Sequence, residues 1–160
     1  MTTITRRYRF CASHRLHSDA LSDAENNRVF GKCNNPYGHG HDYVLDVSVT
    51  GELNATTGLV VKLADLDHLV STEILSDLDH RNLNRDVPEF EQLVPTTENV
   101  ALVIAARLKK YWHIYFPYSS AWLSGISMQE TERNSFEVAI KRPAGTDSTR
   151  ILNESVIVNA

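Results

Sequence analysis

Apolar residues alternate with polar ones in two stretches near the start of the chain. The first stretch ends in a histidine and carries on one face Tyr8, Phe10, Ala12 and His14. The second stretch starts with two histidines and carries on one face His39, His41, Tyr43, Leu45, Val47 and Val49. Because every second side chain of an extended chain points the same way, the pattern predicts two β-strands with histidines on their apolar faces.

The middle of the chain changes to helical spacing. Apolar residues recur every three or four positions from Lys62 to about Asp77, which predicts one amphipathic helix. A second helix is predicted to follow Thr96, whose hydroxyl can cap the first free amide groups, and to end near Trp112.

Alternation returns in two further stretches, at about 121–130 and 135–140, which predict two more strands joined by a polar turn. The element order is therefore ββααββ. This order predicts an α+β fold in which a four-stranded antiparallel sheet packs on two helices. Because such a sheet leaves two edges with unpaired backbone groups, we expect subunits to associate through them.

Composition and charge limit the number of domains, the kinds of partner and the compartment to be expected. A chain of 160 residues with 42% hydrophobic content can bury one core. A net charge of −4 argues against nucleic acid or a membrane surface as partner. No run approaches the roughly 20 apolar residues of a membrane span, and the first residues lack an apolar export block. We therefore expect a cytoplasmic protein in which Cys11 and Cys33 are free thiols.

The three histidines of the first two predicted strands form a candidate metal site. A lone histidine on an apolar face is usually a hydrogen-bonded core residue, but His14, His39 and His41 would meet on paired strands. Three neutral imidazoles with an open fourth position are typical of a catalytic zinc site. Iron(II) and manganese stay open, because imidazole is not selective among these metals.

A long segment between the two strands carries a thiol. Loops of this length are usually functional, and Pro36 and Gly38 favour a sharp turn into the second strand that would hold Cys33 near the histidines. A thiol ionises readily only beside a metal, a protonated histidine or another positive field.

The adjacent pair Asp79 and His80 follows the first predicted helix. Such a pair is often no more than a solvated loop. With a free cysteine elsewhere in the chain, we interpret His80 as acting together with Cys33, while Asp79 orients the imidazole.

Two threonines and two glutamates complete the candidate chemistry. Helix capping alone accounts for Thr96, Thr97 and Glu98, and it needs no ligand. Glu130 ends the apolar face of a strand, where a carboxylate needs a partner. The guanidine-like edge of a heterocycle is one candidate partner, and Arg133 is the other.

Five motifs, in order along the chain, resemble the 6-pyruvoyl-tetrahydropterin synthases of the tunnelling-fold group. They are Phe10-Cys11-Ala12-Ser13-His14-Arg15-Leu16, the stretch from Gly31 to Tyr43, Leu78-Asp79-His80-Arg81-Asn82-Leu83, Pro95-Thr96-Thr97-Glu98-Asn99 and Glu130-Thr131. The likeness predicts a single domain over residues 1–140. It leaves 141–160 as an extension without a functional interpretation, whose apolar pieces at 151–152 and 156–158 can pair as an extra edge strand.

The resemblance implies roles for individual residues. Zn²⁺ would be held by His14, His39 and His41, the catalytic thiol Cys33 would act with Asp79 and His80, and the pterin ring would be anchored by Glu130 near Thr96 and Thr97. It also implies a homohexamer built from two trimers, in which the sheets close a barrel and the active sites lie at subunit interfaces.

The reaction implied by the resemblance converts 7,8-dihydroneopterin triphosphate to 6-pyruvoyl-tetrahydropterin with loss of triphosphate. Cys33 would act as general base. The triphosphate needs positive charge, for which Arg6, Arg7, Arg15 and Lys32 are candidates.

Two alternatives stay open. The sister enzyme, 6-carboxytetrahydropterin synthase of 7-deazapurine (queuosine) biosynthesis, typically has its cysteine four residues before the first histidine, whereas Cys33 precedes His39 by six. A zinc-containing pterin-binding protein without turnover is the other alternative, although it would need no thiol base.

Two residues depart from the family pattern. Cys11 stands where relatives often have serine, and Asp42 stands where many have asparagine. Because Cys11 alternates to the face opposite Phe10 and His14, we expect a small buried residue that is not a ligand.

Overall fold

The structure is a computed structural model that describes residues 1–143 of the chain. The strands are β1 (Thr2–His14), β2 (His39–Gly51), β3 (Arg81–Asn82), β4 (Trp122–Thr131) and β5 (Asn134–Ala139). The helices are α1 (Asp23–Phe30), α2 (Leu63–Val70), α3 (Ser76–Leu78), α4 (Leu83–Asp86) and α5 (Thr97–Tyr115). A π-helical turn, Ser71–Leu75, joins α2 to α3, and 3₁₀ turns lie at Gly31–Asn34 and Pro88–Glu91.

The sheet has the order β3-β1-β2-β4-β5. The strands β1, β2, β4 and β5 are antiparallel neighbours, as the sequence predicts, and the α+β class is confirmed. The prediction did not include β3, a two-residue strand that pairs in parallel with Ala12 and Ser13 at the edge of β1.

One face of the sheet carries the core. Tyr43, Leu45, Val47 and Val49 on β2 are fully buried against the helices. The helices contribute the apolar positions expected from their periodicity, among them Leu66, Leu69, Ile74, Ile104 and Leu108. The opposite face carries polar cross-strand pairs, such as Arg7 with Asp46. One face of the sheet is therefore apolar and buried, and the other is polar.

The segment between β1 and β2 is not a simple loop, because it contains α1 and a 3₁₀ turn. Ser22 and Glu25 form a reciprocal capping box at the start of α1. Asn26, fully buried, accepts a hydrogen bond from the Ser18 amide and donates to the Ser18 carbonyl. The sequence pattern did not predict α1. The capping-box spacing indicated a helix start, but the eight residues of α1 show little apolar periodicity.

The C-terminal extension lies largely outside the description. Residues 144–160 are not among the described residues, and the edge strand expected from 151–152 and 156–158 falls there. Within residues 1–143, no helix combines the length and hydropathy needed to cross a membrane.

Arg107 on α5 links that helix to α3 and to the 3₁₀ turn Pro88–Glu91. Its guanidinium, 14% exposed, donates two hydrogen bonds of 2.7 Å to the Glu89 carboxylate and one of 2.8 Å to Asp77. These contacts join α5 to α3 and to the 3₁₀ turn that carries Glu89. The hydrogen bonds from Arg107 lower the pKa of Glu89 below its usual value.

Glu89→Gln is expected to lower the free energy of unfolding at pH 7 by at most about 1 kcal/mol, because the Glu89 side chain keeps contact with solvent. The folded pKa lies below the unfolded value of about 4.3. The contribution is therefore full above that pH and is lost as pH falls through the folded pKa. Urea unfolding at fixed protein concentration, from pH 7 to pH 3, measures the difference.

Glu91→Gln is the matched control. It removes the same charge from the same turn, and Glu91 makes no ion pair among residues 1–143. A difference between Glu89→Gln and the parent protein that stays constant down to pH 3 would contradict the role given to this ion pair.

Candidate functional site

The three predicted histidines converge where β1 meets β2. The antiparallel register sets His14 directly opposite His39 and sets Ala12 opposite His41. The centroids of the three rings are 4.6 to 5.0 Å apart. The Nε2 atoms of His14 and His39 are 3.0 Å apart. The strand alternation thus brings together the three side chains that the sequence selected.

Contacts around His14 fix its orientation. The ring is fully buried, and Nδ1 donates to the Pro95 carbonyl at 2.9 Å, since a carbonyl can only accept. This leaves the Nε2 lone pair directed at the other two rings, which is how metal-binding histidines are commonly held. Burial lowers the pKa of His14 and of His39, and so favours the neutral form that binds metals.

His41 supplies a direct test of whether a cation fits. Its Nε2 is buried and has no hydrogen-bond partner among residues 1–143. An unpaired buried nitrogen is destabilising by about 1–3 kcal/mol, and a cation between the three rings would remove that cost. The donor set, its neutral charge state and the unpaired nitrogen together fit a divalent metal ion.

Glu130 lies at the same cluster. Its Oε1 is 3.6 Å from His14 Nε2 and 3.5 Å from His41 Nε2, and the Tyr43 hydroxyl donates to it at 3.3 Å. Among residues 1–143, Arg133 makes no ion pair with Glu130, so the carboxylate is held at the histidines and not by the following turn.

Cys33 approaches the histidines from the 3₁₀ turn. Possible ligand atoms of His14, Cys33 and His39 all lie within 4.8 Å of one another. The Cys33 carbonyl accepts from the Leu16 amide at 2.7 Å, which anchors the turn to the end of β1. Burial, and secondarily the Glu130 charge, raise the pKa of the Cys33 thiol. Among residues 1–143, burial and the Glu130 charge both favour the protonated form of this thiol.

Asp79 and His80 lie elsewhere in the subunit. Ligand atoms of Asp79, His80 and Cys11 group within 4.8 Å of one another, at the edge of the sheet face that points away from the helices. His80 Nδ1 is 3.0 Å from the Asp79 carboxylate, and the His80 side chain is 79% exposed. The structure thus places Cys33 and the Asp79-His80 pair in two separate clusters of one chain.

The expectation that Cys11 is buried is wrong. Cys11 is exposed, and its thiol donates to Asp42 Oδ1 at 2.8 Å. Alternation correctly assigned it to the face opposite His14, but helices cover only one face of this sheet, so the opposite face of a single subunit meets solvent.

The threonines occupy the start of α5. Thr96 is the N-cap residue, and its hydroxyl accepts from the Asn99 amide at 3.3 Å, as predicted. Thr97 is buried. Both follow Pro95, whose carbonyl holds the His14 ring, so the helix start and the metal cluster are connected directly.

Two functional groups were missed from the sequence. The Tyr43 hydroxyl contacts Glu130, and the signal was its place two residues after His41 on the same face. Nothing in the sequence indicated that the Pro95 carbonyl would contact His14. The direction of a single backbone carbonyl depends on how the loop packs and not on local residue types.

Comparison with known proteins gives consistent matches. A family model described as 6-pyruvoyl tetrahydropterin synthase matches residues 3–140. The 6-pyruvoyl tetrahydrobiopterin synthase of Homo sapiens is 47% identical over 131 residues, which are 82% of this chain and 86% of the human protein. The solved structure of Caenorhabditis elegans 6-pyruvoyl tetrahydropterin synthase has a TM-score of 0.80 at 42% identity, covering 88% of this chain and 96% of that one.

The sister class gives a weaker match. A 6-carboxy-5,6,7,8-tetrahydropterin synthase of Haemophilus influenzae is 35% identical over 69 residues. These residues are 41% of this chain and 48% of the Haemophilus protein, so the likeness covers less than half of either.

Zn²⁺ is expected to raise the melting temperature of the parent protein but not that of His41→Ala. At a free concentration 100 times the dissociation constant, bound metal adds about 2.7 kcal/mol of stability. Because the variant also loses the 3.5 Å contact of His41 with Glu130 and the ring contacts of His41, the Zn²⁺-induced shift of each protein is measured from its own metal-free melting temperature. Calorimetry with and without Zn²⁺ measures both effects, and His113→Ala, an exposed histidine on α5, is the control. Equal Zn²⁺ stabilisation of His41→Ala would exclude His41 as a ligand.

Proposed function

The chain belongs to the 6-pyruvoyl tetrahydropterin synthase family, and on this premise we propose that it converts 7,8-dihydroneopterin triphosphate to 6-pyruvoyl-tetrahydropterin with release of triphosphate. The observation that carries the proposal is the convergence of His14, His39 and His41 with Cys33 and Glu130 in one cluster. A metal-ligand set, a thiol and a carboxylate are the groups that such a lyase needs.

The metal in this proposal is zinc. Three imidazoles that leave a fourth position open are the usual protein ligands of a catalytic zinc ion. When bound, zinc would supply Lewis acidity toward an oxygen of the substrate side chain. The residues that would hold it are His14, His39 and His41, with His14 oriented by Pro95.

Cys33 is the proposed general base. Its sulfur lies beside the histidine cluster, so a substrate side chain held there would present its C–H bonds to the thiolate. Cys33 takes a proton from the side-chain carbon and returns a proton as the product carbonyl forms. No covalent bond to the sulfur is required, because the rearrangement is internal to the substrate.

We propose that Asp79 and His80 serve Cys33 of a neighbouring subunit. At the edge of the sheet His80 is exposed and Asp79 is partly exposed, and both lie in a different cluster from the Cys33 of their own chain. The strands β3 and β5 at the two sheet edges are short, and pairing between subunits would cover them. A homohexamer of two trimers, with each trimer closing a barrel, satisfies both requirements.

Glu130 is proposed to anchor the pterin ring. The guanidine-like edge of a pterin offers two N–H donors side by side, which match the two oxygens of a carboxylate. In the described residues, Glu130 accepts only one long hydrogen bond, from Tyr43, and its side chain is 16% exposed. It therefore has free acceptor capacity in a sheltered position. Thr96 and Thr97 lie at the adjacent helix start and would line the same ring.

Among the basic candidates, Arg15 is the best placed for the triphosphate. Arg6 and Arg7 are each paired with a carboxylate. Arg15 instead donates to the backbone and side-chain oxygens of Asn34 at 3.2 and 3.3 Å, and it contacts His17 Nδ1 at 3.2 Å. It follows His14 directly in the chain. Among residues 1–143 its guanidinium makes no ion pair with a carboxylate, so its charge is available beside the thiol turn. It also lines a cavity of about 610 Å³ together with Arg85.

We propose the cytoplasm as the location. Both cysteines are free thiols, as the sequence predicted. Free thiols are typical of a reducing compartment.

The reaction itself is the direct test. Incubation of the zinc-loaded protein with 7,8-dihydroneopterin triphosphate is expected to release triphosphate and to form 6-pyruvoyl-tetrahydropterin, both quantified by anaerobic chromatography with mass detection. Absence of triphosphate release would reject the lyase and leave a pterin-binding protein. Release with 6-carboxytetrahydropterin as the main product would assign the chain to the sister reaction instead.

Cys33→Ala is expected to lower kcat by about 10²- to 10⁴-fold, the usual contribution of a general base. Bound zinc and affinity for the unreactive product should stay close to the parent values. Cys11→Ser is the matched control, because it removes the second thiol of the chain, which lies outside the histidine cluster. If Cys33→Ala lost its zinc as well, Cys33 would be a metal ligand and not a base.

A further inference from the structure

Cys11, Asp42, Asp79 and His80 form a second group of metal-ligating side chains, here called the outer cluster. It lies on the sheet face opposite the histidine trio. Ligand atoms of Cys11, Asp79 and His80 are all within 4.8 Å of one another, and Asp42 Oδ1 is 2.8 Å from the Cys11 sulfur. The proposed function uses Asp79 and His80 only, and it gives no role to Cys11 or Asp42.

One backbone hydrogen bond and one bond to the Asp79 carboxylate link the chain segments that carry Cys11, Asp79 and His80. The His80 amide donates to the Cys11 carbonyl at 2.6 Å, and the Cys11 amide donates to Asp79 Oδ1 at 2.9 Å. His80 has a φ of 59°, a left-handed conformation that is uncommon for a non-glycine residue. The next two residues pair with β1 as β3. The positions that carry the ligands are thereby fixed before any ion binds.

The chemistry of the outer cluster suits a divalent cation that accepts sulfur, nitrogen and oxygen ligands. One thiolate, one imidazole and two carboxylates match Zn²⁺ or Cd²⁺. Without an ion, the Cys11 thiol keeps its proton and donates a hydrogen bond to Asp42. Cation binding would replace this proton, which leaves to solvent. Cys11, Asp42 and His80 line an open depression of about 570 Å³, so an ion can reach these side chains in the single subunit.

We propose that the outer cluster is a second divalent-cation site, with Cys11, Asp79 and His80 as ligands and Asp42 completing the set, and that its occupation inhibits the enzyme. Inhibition rests on the proposed function, because Asp79 and His80 cannot hold a cation in the outer cluster and serve a neighbouring Cys33 at the same time. Cation binding stands on the geometry of the outer cluster alone.

The binding half is tested with Cd²⁺ in the Cys33→Ala variant, in which Cys11 is the only remaining thiol. Titration of the zinc-loaded variant is expected to give an ultraviolet thiolate-to-cadmium absorption band that saturates at one Cd²⁺ per chain. The band should be absent when Cys11→Ser is added. In the Cys33→Ala background, His80→Ala should weaken the apparent Cd²⁺ affinity by at least about tenfold. No band, or a band whose midpoint His80→Ala leaves unchanged, would overturn the chelate site.

The inhibitory half is tested by turnover in the presence of added Cd²⁺. The parent protein is expected to lose activity over the concentration range in which the band forms. Cys11→Ser should keep its basal activity and need at least about tenfold more Cd²⁺ for the same loss. Equal sensitivity of the two proteins would overturn inhibition through the outer cluster. Absence of turnover without Cd²⁺ would instead reject the proposed function, while the absorption band would still report on the site.

Discussion

The antiparallel register of β1 and β2 is the constraint on which the site depends. It sets His14 opposite His39 and keeps His41 on the same face two residues further along. A slip of one residue would turn one strand's side chains to the other face, and the three histidines would no longer meet. The same register buries Tyr43 and the valines of β2 under the helices, so the packing of the core and the geometry of the site are set together.

Strand alternation also divides the chemistry of the subunit between two faces. The histidines, Cys33 and Glu130 gather on the helix side, where burial favours neutral imidazoles and a protonated thiol. Asp79 and His80 gather at Cys11 on the solvent side. In one chain, therefore, the thiol lies at the histidine trio, apart from the acid-base pair proposed to assist it. Association of subunits would supply the missing pair and cover the sheet edges in one step.

The sequence predicted the histidine trio because period-two alternation is a local property, and it predicted the cap at Thr96 because capping depends on neighbouring residues. It failed for Cys11, because alternation tells which face a residue occupies and not whether that face is covered. The partner of Glu130 was left open between a heterocycle and Arg133. Only tertiary packing decided that the carboxylate sits beside His14, His41 and Tyr43.

Subunit complementation tests most directly the claim that the active site needs two chains. Cys33→Ala and His80→Ala are each expected to be nearly inactive as pure proteins. Unfolding and refolding them together would form mixed oligomers, in which some sites join an intact Cys33 of one subunit to an intact His80 of its neighbour. The account predicts that triphosphate release returns in the mixture and not in either protein refolded alone. A mixed oligomer, verified by mass spectrometry, that stays as inactive as its parents would contradict it.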